Sequence, residues 1–530
     1  MAPVTTTYAS TQEAVPVRVV PKVEALRARL VAPMPDDGVW GWLGPLIVTA
    51  IAGFTRFWHL GRPHNFVFDE TYYAKDGWAL LHYGAEQDYV KGADAKILGG
   101  NTGTDIFTGS PAYVVHPPFG KWMIGVGEKL FGFTPFGWRF AAALTGTLAV
   151  LLIARIGRRL FRSTLLGCVA GLLMTVDGMA YVHARIALLD PLLMFWVLAA
   201  FGALVVDRDK ARLAFAERVA HQPARLFGPG MGVRPWRLLA GICLGLACGT
   251  KWNGLFFVAA FGVMTVFWDA GARKAVGVRM PRIGAVLRDA GPAFMSLVLV
   301  GFVTYLLCWT GWFLGDDRAY LRNYAATHPG PALVPDALYS LWHYHVEVYK
   351  FNTNLHSFHP YKSNPWSWLV MGRPTSYFYE SKTEGVESCQ VAECSKAIIA
   401  LGNPTVWWAA LLSLPVLGWL WTARRDWRAG AILSGIAGGY LPWFYYADRT
   451  IYTFYAIAFL PFLVLGVTMV LGLVLGRPGA SGSRRQYGAS AVGAYLLLAV
   501  ANFFWLLPVI SAEVIPRTDW LRRMWLRSWI

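Results

Sequence analysis

Val39-Trp-Gly-Trp-Leu-Gly-Pro-Leu-Ile-Val-Thr-Ala-Ile-Ala-Gly-Phe-Thr-Arg-Phe-Trp58 is the run that decides the fold. It carries one charge, Arg56, and as a helix it has the length needed to cross about 30 Å of hydrocarbon. Comparable apolar runs recur near 138–155, 164–182, 188–206, 237–250, 252–269, 291–314, 404–422, 429–446, 453–475 and 489–509, about eleven in all. Composition agrees: of 530 residues, 55% are hydrophobic and 15% charged, and the mean hydropathy is +0.41. A chain this apolar needs lipid as part of its solvent, and helices satisfy their own backbone polar groups there, so the reading is an all-α polytopic membrane protein. The first run spans a full bilayer and lacks a small-residue cleavage site, which reads as a retained helix rather than a removed signal. Residues 1–38 show no periodicity and read as a flexible cytoplasmic tail.

Basic residues orient the chain, because cytoplasmic loops retain Lys and Arg. They gather at Arg18–Arg29, Arg155–Arg162, Arg208–Arg237, Arg273–Arg288, Arg424–Arg428 and Arg477–Arg485. All of these fall on one side if the amino terminus is inside and eleven helices are crossed. That placement accounts for much of the +17 net charge and argues against a nucleic-acid partner. The basic, apolar segment 511–530 then lies outside and suits a helix in the membrane interface. Two large segments, about 59–137 and 315–403, also lie outside, and neither has the apolar pattern of an independent soluble domain.

The first outer segment contains Phe66-Val-Phe-Asp-Glu-Thr-Tyr-Tyr73, with Tyr73, Gly77, Leu80 and Leu81 at helical spacing. Asp69 and Glu70 then stand at the start of a helix lying along the membrane. Acids suit that position as caps, but carboxylates held at a bilayer boundary also mark functional sites. Asp69 fits a general base for a hydroxyl nucleophile. Downstream, His116-Pro-Pro-Phe-Gly-Lys-Trp122 predicts an extended entry into a helix bearing Lys121. Arg139, Arg185 and Lys251 are further cations expected at the outer boundary, where phosphate is a natural partner and separate structural ion pairs are the alternative. Asp177, His183 and Asp190 come to the same side, with Asp190 before Pro191 also suited to capping the next helix.

In the second outer segment, His356, His359 and Trp366 suit sugar or peptide binding by stacking and hydrogen bonding; the two histidines lack a third ligand for a metal. Cys389 and Cys394 share a short stretch of that segment and are expected to form a local disulfide, whereas Cys168, Cys243, Cys248 and Cys308 lie in apolar runs as small buried residues.

In order along the chain, Asp69-Glu70, HPPFGKW at 116–122, FGWR at 136–139, ARIALLDP at 184–191, GTKWNG at 249–254 and HPYKSNPWSW at 359–368 together resemble the protein O-mannosyltransferase family of the GT-C class of membrane glycosyltransferases. The segment 315–403 is too short for the MIR domain of eukaryotic members, and in this the chain is similar to the shorter actinobacterial ones. The resemblance implies a GT-C catalytic domain over 39–510, at the plasma membrane with its site outside. It also implies polyprenyl-phosphate mannose as donor, and as acceptors Ser or Thr of secreted proteins, including ones emerging from the secretion machinery. No metal or cofactor is implied. Asp69 would serve as acceptor base with inversion at the anomeric carbon, and Glu70 would assist in the catalytic pair by positioning. Arg139, Lys121, Arg185 or Lys251 would hold the donor phosphate, and His116, Asp190, Asn253, His356, His359 and Trp366 would line the substrate site. The alternatives are another polyprenyl-phosphate-sugar transferase acting on a glycan or lipid, and a transporter; the sequence shows no repeated halves to favour the latter.

Overall fold

The computed structural model describes residues 22–530 except 102, 222–225, 316–317 and 478. Helix occupies each of the apolar runs, and among the described residues six helices are long and apolar enough to cross a membrane: Pro135–Phe161, Leu189–His221, Gly254–Ala275, Pro281–Cys308, Pro404–Thr422 and Gly482–Ile510. Thr164–Thr175, Pro235–Thr250 and Leu460–Leu475 are shorter apolar helices. Their ends follow local chemistry. Thr134 caps Pro135–Phe161 by accepting from Gly137 N at 3.3 Å, Pro135 opens the first turn, and Arg162 ends the helix in the left-handed region. Leu189–His221, at about 1.5 Å per residue, is about 50 Å long and exceeds the bilayer core. It runs past the predicted end near 206 and carries Arg208 and Arg212 into a basic layer beyond the apolar region.

The amino-terminal tail was expected to be flexible. Residues 1–21 lie outside the described residues, but Lys22–Leu30 is a helix whose Leu26 and Leu30 pack with Phe215, Val219 and Ala272.

The two large segments, about 59–137 and 315–403, fold onto the bundle rather than apart from it. The first contains helices Glu70–Tyr83 and Phe119–Phe131 and an antiparallel pair, β1 (Gln87–Tyr89) and β2 (Phe107–Pro111). Glu70–Tyr83 is not amphipathic along a surface as expected: of its side chains only Tyr72 and His82 are exposed. It crosses Phe119–Phe131 in backbone contact, since a Cβ on Gly125 would lie 2.4 Å from Gly77 O. The second segment contains helix Asp336–Thr353 and the hairpin β3 (Ser376–Thr383) and β4 (Glu393–Ile399), closed at its tip by the Cys389–Cys394 disulfide.

The carboxy-terminal segment holds a short helix, Arg517–Arg523, and is tied to the rest of the chain. Val514–Pro516 forms β5 and pairs antiparallel with β4, Ser395 opposite Ile515. Trp529 is buried and its indole donates to Met371 O at 2.7 Å. That pairing puts the tail on the same side as segment 315–403, and Phe68 stacking on Tyr377 at 4.6 Å puts segment 59–137 there too.

Candidate active site

The adjacent acids Asp69 and Glu70 have opposite environments. Glu70 is fully buried, and its carboxylate accepts four hydrogen bonds: from Arg139 Nε and Ala187 N at Oε1 (2.8 and 2.9 Å), and from Arg139 Nη2 and Val67 N at Oε2 (both 2.8 Å). Arg139 gives its remaining donors to Leu60 O, Pro63 O and Asn65 O at 3.2, 3.0 and 2.8 Å. All five guanidinium N–H groups are thereby used inside the protein. Arg139 was expected at the donor phosphate; it has no donor left for one, because it holds Glu70 and the chain entering the site. Glu70 correspondingly has no free lone pair for a catalytic step.

Asp69 differs. It precedes helix Glu70–Tyr83, but its carboxylate does not cap the helix and has no hydrogen-bond or ion-pair partner among the described residues. The chain presents it from a strained turn: Phe68 has φ 55°, a left-handed conformation costly for an aromatic residue, held by stacking on Tyr377 and an edge contact with Phe454 at 5.7 Å. Burial pushes the Asp69 carboxyl up to about 6; the Lys251 ammonium opposes this and the Asp190 carboxylate reinforces it. A half-buried, unpartnered carboxylate with a pKa near neutrality suits proton acceptance.

Around it, Lys251 Nζ donates to both Asp190 oxygens at 2.9 Å and sits 4.5 Å over the Tyr455 ring. Asn253, at the start of the next helix, has its Nδ2 buried with no partner. His116 is half-buried, its ring 6.2 Å from that of Tyr73; burial, then the charges of Lys251, Lys121 and Arg449, hold it well below 6.5 and therefore neutral.

The other expected cations are engaged elsewhere. Lys121 bonds Glu86, with Asp76 at 3.8 Å. Arg185 donates to Thr55 O, Arg56 O, Trp58 O and His59 O, closing the carboxy-terminal end of helix Trp40–Phe57, where a cation also opposes the helix dipole. Asp177 is buried, accepting from Ala180 N, Asn403 N and Trp407 Nε1 at 2.9, 3.0 and 2.8 Å.

The histidines and tryptophan of the second outer segment separate. His356 is exposed and bonds Asp448 O at 3.3 Å. His359 stands at the rim, edge-on to Tyr452 at 5.0 Å, and Tyr452 stacks on Phe454 beside Phe68. Trp366 is 78% exposed and packs on Phe444; Trp368 is the buried member of that motif. Three groups near the site had gone unassigned. Tyr377 donates to His183 Nε2 at 3.0 Å while His183 Nδ1 bonds Met179 O, a chain that backs Phe68. Arg449 is the third. Its only signal in the sequence was a lone cation between two apolar runs.

The family model described as "Dolichyl-phosphate-mannose-protein mannosyltransferase" matches residues 46–310, and "C-terminal four TMM region of protein-O-mannosyltransferase" matches residues 337–529. A "Polyprenol-phosphate-mannose--protein mannosyltransferase" of Mycolicibacterium smegmatis is 41% identical over 94% of this chain and 96% of its own. Proteins of the same description from Mycobacterium tuberculosis and Corynebacterium glutamicum are 40% and 35% identical, over 93% and 98% of this chain and 93% and 99% of their own. Among solved structures, the S. cerevisiae protein O-mannosyltransferase Pmt1-Pmt2 complex bound to the sugar donor superposes with a TM-score of 0.71 over 96% of this chain and 94% of that one, at 15% identity, a likeness of fold.

Proposed function

The chain belongs to the protein O-mannosyltransferase family of GT-C membrane glycosyltransferases, and from that premise we propose that it transfers mannose from polyprenyl-phosphate mannose to Ser and Thr hydroxyls of secreted proteins, with Asp69 as the base. The observation that carries the residue assignment is the unpartnered Asp69 carboxylate, raised to about 6, beside a fully bonded Glu70. In the reaction the acceptor hydroxyl oxygen attacks the anomeric carbon opposite the phosphate, and its proton passes to Asp69. The bond from the anomeric carbon to the phosphate oxygen breaks with its electron pair leaving on phosphate, so the configuration inverts. The phosphodiester monoanion becomes a monoester dianion, and cations that meet the developing charge lower the barrier. Lys251 Nζ, with two bonds to Asp190, retains a third N–H for this. Asn253 Nδ2, two residues along the chain from Lys251, and the neutral His116 offer further hydrogen-bonding groups.

A lipid-linked donor is supported by an apolar groove of about 570 Å³ between helices Gly254–Ala275 and Pro281–Cys308, whose outer end, at Leu255, lies close in sequence to Lys251. We place the amino terminus inside, eleven crossings, and the carboxy terminus and Asp69 outside. The basic clusters support this, and nascent acceptors leaving the secretion machinery would meet the site there.

The test is incubation of the purified protein in lipid nanodiscs with labelled polyprenyl-phosphate mannose and a Ser/Thr-rich peptide. Labelled peptide is expected. Label appearing only in lipid or glycan would overturn the proposal.

A further inference from the structure

The donor is an anion, yet the charges assigned so far do not favour one. The Lys251–Asp190 pair sums to zero, and ionised Asp69 leaves the site at −1. A phosphodiester approaching that arrangement meets net repulsion, and its product carries one negative charge more. A further cation with free donors is required.

Three cations act on His116: Lys251, Lys121 and Arg449. Lys121 is matched by Glu86 and Asp76, and Lys251 by Asp190. Arg449 has no acidic partner among the described residues. Its Nη2 reaches the Asn352 amide oxygen at 3.3 Å, a weak contact, and its Nε is buried with no partner at all. The backbone around it is fixed: Arg449 N bonds Tyr446 O, Thr450 N bonds Leu355 O at 2.8 Å and Thr450 Oγ1 bonds Ser357 O at 2.6 Å. From there the chain runs through Tyr452, beside His359, to Tyr455, beneath Lys251 Nζ. A buried guanidinium N–H without a partner is a costly arrangement, and an anion removes the cost.

We propose that Arg449 binds the phosphate of the lipid-linked donor together with Lys251, in the role that the sequence suggested for Arg139. This rests on the reading of the Asp69 pocket as the donor site. With Arg449 the empty pocket is neutral, the bound monoanion is accommodated, and the second negative charge that forms on the departing phosphate faces two cations while Asp69 becomes neutral by protonation. A planar guanidinium presenting Nε and Nη together also gives two parallel donors to one phosphate, which an ammonium does not.

The experiment measures binding of undecaprenyl phosphate and of uncharged undecaprenol to wild type, Arg449→Gln and Arg449→Lys in nanodiscs, with transfer kinetics on the same samples. Arg449→Gln is expected to weaken undecaprenyl phosphate roughly ten- to hundred-fold while leaving undecaprenol unchanged, because one charge-assisted contact is lost. Arg449→Lys should recover part of that loss. The donor kcat/KM should fall with the acceptor KM unchanged. Equal undecaprenyl phosphate affinity in wild type and Arg449→Gln overturns the inference, and so does an equal loss for phosphate and alcohol, which would mark a structural role. If wild type transfers no mannose to peptide, the functional reading itself fails; if it does and the variants bind as wild type, only the role of Arg449 fails.

Discussion

Changing Glu70 and Asp69 separately, each to its amide, should give opposite outcomes. In Glu70→Gln the side-chain oxygen keeps two of the four donors around it, but the new NH2 faces the other two, Arg139 Nη2 with Val67 N or Arg139 Nε with Ala187 N, depending on how the amide turns. Two hydrogen bonds become donor–donor contacts, and Arg139 is left a buried charge without its counterion. Breaking a buried pair in this way costs about 3–5 kcal/mol. Asp69→Asn removes a carboxylate with no partner. Because the folded protein raises that carboxyl from 3.8 to about 6, its ionised form is disfavoured on folding at neutral pH, by up to about 3 kcal/mol, and the amide relieves this. The Asn variant should therefore be as stable as wild type or more so, yet lose mannosyl transfer about 10²- to 10⁴-fold, the range for a general base. Unfolding in an SDS titration gives the stability and peptide labelling the activity. Glu70→Gln with wild-type stability and no transfer would refute the division of roles, as would Asp69→Asn retaining wild-type turnover.

Transfer should also depend on pH with one acidic limb. Asp69 must be ionised to accept a proton, so the rate should hold above about pH 7, reach half near pH 6 and fall to roughly a tenth at pH 5, read from initial rates at low donor concentration. Gly125→Ala would set a methyl 2.4 Å from Gly77 O and force the two crossing helices apart; a loss of about 1–3 kcal/mol by the same unfolding assay, with reduced transfer, is expected. Cys389→Ser with Cys394→Ser opens a short loop at the tip of the β3–β4 hairpin, remote from Asp69, so stability should drop by about 2–3 kcal/mol or less while kcat stays near wild type, measured with and without reductant.

Sequence alone determined the membrane class and the position of the long apolar helices, because a bilayer imposes one requirement, a long apolar run, that is written locally; Lys22–Leu30 and Asp336–Thr353, which carry no such run, were not legible. It also singled out Asp69 as a candidate, since an acid at a span boundary stands out against apolar neighbours. Short strands were not legible: β3, Ser-Tyr-Phe-Tyr-Glu-Ser-Lys-Thr, has the right alternation, but its partners are β4 and, through it, the distant β5. The cations show the limit most clearly. Arg139, Lys121, Arg185 and Lys251 looked equivalent as positive charges near one boundary, and which of them keeps a free N–H depends on carboxylates and carbonyls brought up from far along the chain. Tertiary contacts occupied Arg139 with Glu70 and left Arg449 open. Residue type fixes the charge a side chain carries, whereas folding decides how many of its hydrogen bonds are already made, and only the unmade ones are available to a substrate.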